Sequence, residues 1–281
     1  MMPVLFMAAS FSVFDQSATS ELRLIVHTDI HPHNVCLGLK GVEDWEYQDF
    51  YRRVGQPLRM KWIAPRSLSH PQYSVYPLFF PELDSTHISD QATLIDFDEA
   101  FQGPSNTAPL VDDFWCRPAS CIAPELLAYG PEAKSQKSDM WALACTIFFL
   151  RSGDPLIYAY SLGDVPEEVG SFLGPPPRDM RNKIKARFNR GLYPSWRNRN
   201  ALREEVMQIG THDKDEVTQE QYDQIEDRFK ELWPFDLHEE RIDPEEAEML
   251  HDLLAGRLKY VPEDRMTAQD VLKHPWCCMD Q

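Results

Sequence analysis

The chain has 281 residues, 28 lysines and arginines against 45 aspartates and glutamates, a formal net charge of −17 and 43% hydrophobic residues. That length and apolar content suffice for a sizeable core and a soluble globular fold. The negative charge argues against nucleic acid or an anionic membrane surface as the main partner and suits basic proteins or peptides.

Read from the amino terminus, MMPVLFMAASF is apolar but lacks a basic flank and is too short to span a bilayer, and no later stretch approaches a span. Residues 22–39, LRLIVHTDIHPHNVCLGL, predict two strand-like pieces around a polar loop. Residues 40–91 carry five prolines, at Pro57, Pro65, Pro71, Pro77 and Pro81, and read as an irregular insertion far longer than an ordinary connection. Its aromatic residues Trp45, Tyr47, Phe50 and Tyr51 could pack it onto the rest of the fold. ATLIDFDEAF then gives a short strand running into acidic residues, followed by a loop with Gly103, Pro104, Pro109 and Pro118.

From Ser138 to Leu150 the sequence is apolar almost all round, which predicts a buried helix with Ser138 as N-cap and Gly153 as its stop. Residues 165–250 alternate charged helical patterns with breaks such as GPPPRD. The tail predicts two amphipathic helices parted at Pro262, the second capped by Thr267. The six cysteines, Cys36, Cys116, Cys121, Cys145, Cys277 and Cys278, have no C-x-x-C or zinc spacing and read as reduced thiols of an intracellular protein.

The chemistry-bearing residues begin with His27-Thr28-Asp29, followed by His31 and Asn34, an H-x-D-x-H-x-x-N string between two apolar runs. A carboxylate and an amide oxygen at that spacing suit phosphoryl transfer, in which one accepts the proton of an attacking hydroxyl and the other holds magnesium. The bland alternative is a polar turn with three histidines. Asp96-Phe97 offers a second carboxylate at the end of a strand, and Ala123-Pro124-Glu125, Asp139-x-Trp141 and Arg265 complete the set.

Each string is weak alone, but their order resembles the carboxyl-terminal lobe of a eukaryotic protein kinase. HTDIHPHN stands where that family has its catalytic loop, IDFDEAF where it has D-F-G, and CIAPELL where the activation segment ends. SDMWALACTIFFL resembles the lobe's central helix and PEDRMTAQDVLKHPW its closing helices. HTD, the insertion and the PAS-x-x-APE ending are most similar to fungal relatives of the SR-protein kinases.

The resemblance implies a mainly α fold with a few short strands, the small lobe being absent or vestigial. It divides one kinase-like domain into a remnant leading helix (1–26), a catalytic loop (27–39), the insertion (40–91), a magnesium-binding and activation segment (92–125) and a helical subdomain (126–281). It further implies ATP and Mg2+ as cofactors. Asp29 would be the catalytic base, Asn34 and Asp96 the magnesium ligands, and Cys36 would lie under the adenine. Glu125 and Arg265 would form a buried ion pair, and Asp139 would receive backbone donors from the catalytic loop. Basic or Arg/Ser-rich proteins would be the substrates, in the cytoplasm or nucleus, with neither nucleic acid nor a membrane as partner.

Several features depart from the family pattern. No lysine precedes Lys40 and no glycine precedes Gly38, so the glycine-rich loop and the strand lysine are not visible. That implies either an amino-terminally incomplete chain or a partner that supplies the missing lobe. His31 replaces the lysine beside the transferred phosphate, and Asp98 replaces the D-F-G glycine and adds a negative charge there. Ile122 replaces an arginine, and Thr28 replaces the arginine that would answer a phosphorylated segment, so no phosphorylation switch is expected. Two alternatives remain: a pseudokinase scaffold, and a small-molecule phosphotransferase of the aminoglycoside or choline kinase type, which His31 favours and the A-P-E segment opposes.

Overall fold

The computed structural model describes residues 24–54, 59–61, 73–75, 85–103, 117–188, 201–209 and 241–279. It is helix-rich with a few short antiparallel strands, arranged in two compact units. The first comprises Met1–Leu37, Asp90–His212 and Glu239–Gln281, and the second Gly38–Ser89 and Asp213–His238. Among the described residues no helix is long and apolar enough to cross a membrane.

In the first unit, β1 (Leu24–Val26) pairs antiparallel with β6 (Phe101–Gly103), Ile25 facing Gln102. The leading helix expected over residues 1–26 lies outside the described residues except at 24–26. These are strand, as the β-branched pair Ile25-Val26 favours. A 3-10 turn, Pro32–Asn34, with Pro32 pre-setting its first φ, leads into β2 (Val35–Leu39), which pairs with β5 (Ile88–Leu94).

The second unit corrects the irregular reading of residues 40–91. Tyr47–Val54, free of proline, forms α1, and β3 (Arg59–Lys61) pairs antiparallel with β4 (Tyr73–Val75). Tyr47 and Tyr51, one turn apart, meet edge to face at 4.5 Å, the Arg53 guanidinium lies 4.7 Å over Trp45, and Trp45 meets His87 at 5.0 Å.

The helices of the first unit are α2 (Pro124–Tyr129), α3 (Gln136–Ser152), α4 (Val165–Leu173), α5 (Arg178–Phe188), α6 (Ala201–Met207), α7 (Pro244–Arg257) and α8 (Ala268–Leu272). The core centres on α3, where Trp141, Ala144 and Ile147 are sealed from solvent, and on α7, which contributes Leu250, Leu253 and Leu254. The N-cap of α3 is Ser135 rather than Ser138. Ser135 accepts from the Ser138 N–H and Ser138 returns the bond to the Ser135 N–H, a reciprocal capping box, while Gly153 ends the helix at φ 80°. Thr267 and Asp270 form the same box at α8. At α7, Asp243 accepts from the N–H groups of Glu245 and Glu246, with Pro244 at the first helical position. Arg151 then ties α3 to α7 through a two-pronged bond to Glu246 at 2.6 and 2.8 Å.

One core residue breaks the pattern. Arg257, at the last turn of α7, is wholly buried, and none of its three guanidinium nitrogens has a hydrogen-bond partner among the described residues. Burial lowers its pKa to about 9, countered only by the nearby Cys277. A guanidinium without partners costs several kcal/mol of lost hydration. Arg257→Met, which keeps the length and removes the charge, is expected to raise the stability of the protein by about 2 kcal/mol, read as a higher urea midpoint at unchanged slope.

Candidate functional site

The site forms where the turn after β1 meets the turn after β5. His27 is completely buried and its ring works at both ends. Nδ1 accepts the Asp29 N–H at 3.3 Å, which leaves the hydrogen on Nε2 to donate to the Ile95 carbonyl at 3.1 Å. Desolvation is the main cause of its lowered pKa. Phe97 closes on the ring edge to face at 4.5 Å. One neutral histidine therefore joins the two loops.

Below it, the buried Asp139 carboxylate takes both backbone donors of the turn, His27 N–H at 2.8 Å and Thr28 N–H at 3.0 Å. The bonds hold Thr28 at φ 71°, a left-handed conformation that is rare for a β-branched residue. Asp96, at φ 69°, is the other non-glycine residue in that region among those described, so strain collects on both loops of the site.

Asp29 and Asn34 are in direct contact. The Asn34 amide donates to the Asp29 carbonyl at 2.9 Å and to its carboxylate at 3.2 Å, and the Asn34 carbonyl accepts from Ile95 N–H at 2.9 Å. His31 turns Nδ1 to the His33 N–H, so its Nε2 hydrogen faces the Asp29 carboxylate at 3.5 Å. Partial burial pushes the Asp29 carboxyl up, but His31, Arg117 and the Asn34 amide together outweigh it and hold the group below its ordinary value.

Asp96 lies within electrostatic reach of Asp29 and His27. Its carboxyl is shifted upward, first by a hydrogen bond with Asp98 and then by the charge of Asp98, with Asp29 adding to the effect. The two neighbouring carboxylates are a hard-oxygen donor set of the kind that suits magnesium. The Asn34 amide nitrogen is committed to Asp29, so its oxygen is the atom that can join them. Among the described residues no three His, Cys, Asp or Glu side chains close into a metal-binding group, so protein ligands alone do not complete a cage. Cys36 is exposed on β2.

Glu125 and Arg265 form a buried two-pronged ion pair at 2.6 and 2.7 Å. Arg265 also donates to the carbonyls of Lys137 and Lys259 and stacks 5.2 Å from the Trp141 ring. The eight candidate site residues thus lie in the first unit, with Asp29, His31, Asn34 and Asp96 at one place, Cys36 on β2, and Glu125, Asp139 and Arg265 in the frame below.

Sequence reasoning missed Arg117, Glu99 and Lys134. Arg117 donates to Thr28 Oγ1 at 2.9 Å and lies 3.9 Å from Asp29 and 4.0 Å from Glu99, which Lys134 reaches at 3.8 Å. Nothing in the spacing marks Arg117, which stands 89 positions from Thr28. The available signal was a lone cation shortly before A-P-E.

No protein-family model matches the chain. It is similar to serine/threonine-protein kinase AFC3 of Arabidopsis thaliana, 25% identical over 147 residues that cover 50% of this chain and 32% of that protein. Human SRSF protein kinase 3 is 27% identical over 154 residues, 53% of this chain and 22% of the kinase. Serine/threonine-protein kinase SRPK of Physarum polycephalum is 30% identical over 156 residues, 49% and 28%. The match spans a third or less of the length of these relatives, and the chain is related to protein kinases over about half of its own length.

Proposed function

We propose that the first unit is a protein-kinase-like carboxyl-terminal lobe that supports phosphoryl transfer from ATP to protein serine or threonine hydroxyls. The observation that carries this reading is the contact of the Asn34 amide with both the carbonyl and the carboxylate of Asp29, beside Asp96. Asp29, kept ionised by His31, Arg117 and Asn34, is poised to accept the hydroxyl proton as the oxygen attacks. Asn34 Oδ1 and Asp96 would hold magnesium, which when bound offsets charge on the transferred phosphoryl group. Asp139 keeps the turn that carries Asp29 in its strained shape. A small lobe supplied by a partner would cover the nucleotide, with Cys36 toward its base. The names of the relatives extend the reading to SR-type, arginine- and serine-rich substrates, which suit the net charge of −17. α5 stands apart from that charge, since it carries Arg178, Arg181, Lys183, Lys185 and Arg187.

The scaffold reading has one observation in its favour. Asp98, which stands beside Asp96 and raises its carboxyl, adds a negative charge where the family pattern has a glycine. A thermal-shift titration with ATP, with and without magnesium, separates the two. The kinase reading expects a magnesium-dependent rise in melting temperature that strengthens in Asp98→Gly. Asp29→Asn should keep this shift and lose phosphoryl transfer to an Arg/Ser-rich peptide. No magnesium-dependent shift in either protein would leave the scaffold.

A further inference from the structure

We propose that α5 is a docking surface for a carboxylate-rich segment of a protein partner, bound in extended form along a row of three cations, Arg178, Arg181 and Lys185. The proposal does not depend on the reading of Asp29 as the catalytic carboxylate.

The charge pattern of the helix carries it. Acidic residues outnumber basic ones 45 to 28 along the chain, yet the 11 residues of α5 hold Arg178, Arg181, Lys183, Lys185 and Arg187 and a single acid, Asp179. Asp179 lies about a third of a turn away from the row and accepts from the Tyr129 hydroxyl of α2 at 3.0 Å. Lys183 stacks 4.9 Å over the same tyrosine ring. Met180 and Ile184 are buried where the helix packs into the fold. Elsewhere in the unit arginines are answered by acids, Arg151 by Glu246 and Arg203 by Glu248. Arg178, Arg181 and Lys185, by contrast, have no ion pair or hydrogen bond among the described residues, although the chain has acids in excess. Arg178 and Lys185 are exposed and Arg181 is half-buried.

The geometry selects the partner. Spacings of three and four residues put the three cations on one stripe of the helix, about 4.5 and 6 Å apart along its axis. An extended chain turns alternate side chains to the same side about 6.7 Å apart. Acids at every second position therefore meet the row within the reach of long side chains that have no other partner. Nucleic acid fits less well, because its charges recur about every 1.7 Å along a rod far longer than this stripe. Beyond α5 such a rod would meet the excess acid of the chain. Arginine-rich segments are repelled by α5, so this surface and the acidic remainder of the chain attract partners of opposite sign.

The test is fluorescence anisotropy of the full chain with labelled octapeptides of alternating Glu-Gly and alternating Gln-Gly. A phosphoserine peptide and a single-stranded oligonucleotide, each matched in net charge to the first, serve as rivals. The glutamate peptide should bind, more weakly as salt is raised, and the glutamine peptide should not. Arg178→Gln/Arg181→Gln/Lys185→Gln should weaken binding about tenfold or more at an unchanged melting temperature, since these side chains hold no bond in the fold. The exposed single reversal Lys185→Glu should by itself weaken binding about threefold, which keeps the surface testable should the triple variant not fold. Arg203→Gln, which removes a paired cation on α6, should leave the affinity within about 1.5-fold. No binding of the glutamate peptide at physiological salt, an affinity unmoved in Lys185→Glu, or an equal loss in Arg203→Gln would each overturn the docking surface. Tighter binding of the phosphoserine peptide or of the oligonucleotide would overturn its assignment to carboxylates.

Discussion

Glu125→Ala is expected to destabilise the protein by about 3–5 kcal/mol, enough to unfold much of it under ordinary conditions. Glu125 and Arg265 are 3% and 2% exposed, so removing the carboxylate leaves a guanidinium with the carbonyls of Lys137 and Lys259 and the Trp141 face, but no counter-charge. Arg265→Met should be at least as damaging, because the carboxylate it strands has no other cation at hand in the contacts described. The double variant Glu125→Leu/Arg265→Met should recover most of the loss, since replacing a whole buried pair by apolar side chains of similar size is close to neutral. Urea unfolding followed by circular dichroism reads all three. A double variant as unstable as the worse single one would show that the pair does more than balance its own charge.

The second large effect is a pH dependence centred on Asp139. Desolvation, offset by the backbone donors of His27 and Thr28 and by Arg117, leaves its carboxyl raised from 3.8 to about 7. The folded state then holds this proton more tightly than the unfolded chain does. The stabilisation is therefore complete below about pH 4 and is lost as pH rises through 7, amounting to roughly 4 kcal/mol. Asp29, with its lowered carboxyl, contributes in the opposite sense at acid pH. The diagnostic quantity is accordingly the difference between the unaltered protein and Asp139→Asn, which has no proton to lose. That difference should fall steadily from pH 4 to pH 8, and an increase over the same range would show an ionised Asp139 held by its two backbone donors.

The two effects bear on one design. Asp139 and the Glu125–Arg265 pair lie beneath the loops, and both are buried polar groups satisfied by partners more than a hundred positions away. Such groups specify one arrangement strongly, because each alternative leaves a buried donor or charge without a partner. The strain at Thr28 and Asp96 is held within that frame.

Much of this was legible in the linear pattern. The all-round apolar run of α3 announced a buried helix, Gly153 its end and Thr267 the cap of α8, because caps and periodicity are local consequences of backbone hydrogen bonding. The choice of Ser135 over Ser138 as N-cap was not legible, since both have the required hydroxyl and only the backbone conformation at 135 decides between them. Nor was α1, which hides among prolines that all fall after it.

The sequence by itself determined the order of the chemical groups, a carboxylate, an amide and a second carboxylate on two polar turns followed by a helical frame, because residue identity and local periodicity are properties of the chain. The tertiary structure alone decided that Asp98 raises the Asp96 carboxyl, that Arg257 is buried with no hydrogen-bond partner among the described residues, and that Arg117 reaches Thr28 and Asp29. Those facts depend on distances between residues far apart in the chain and on how much water the packing removes, and neither quantity is encoded in spacing.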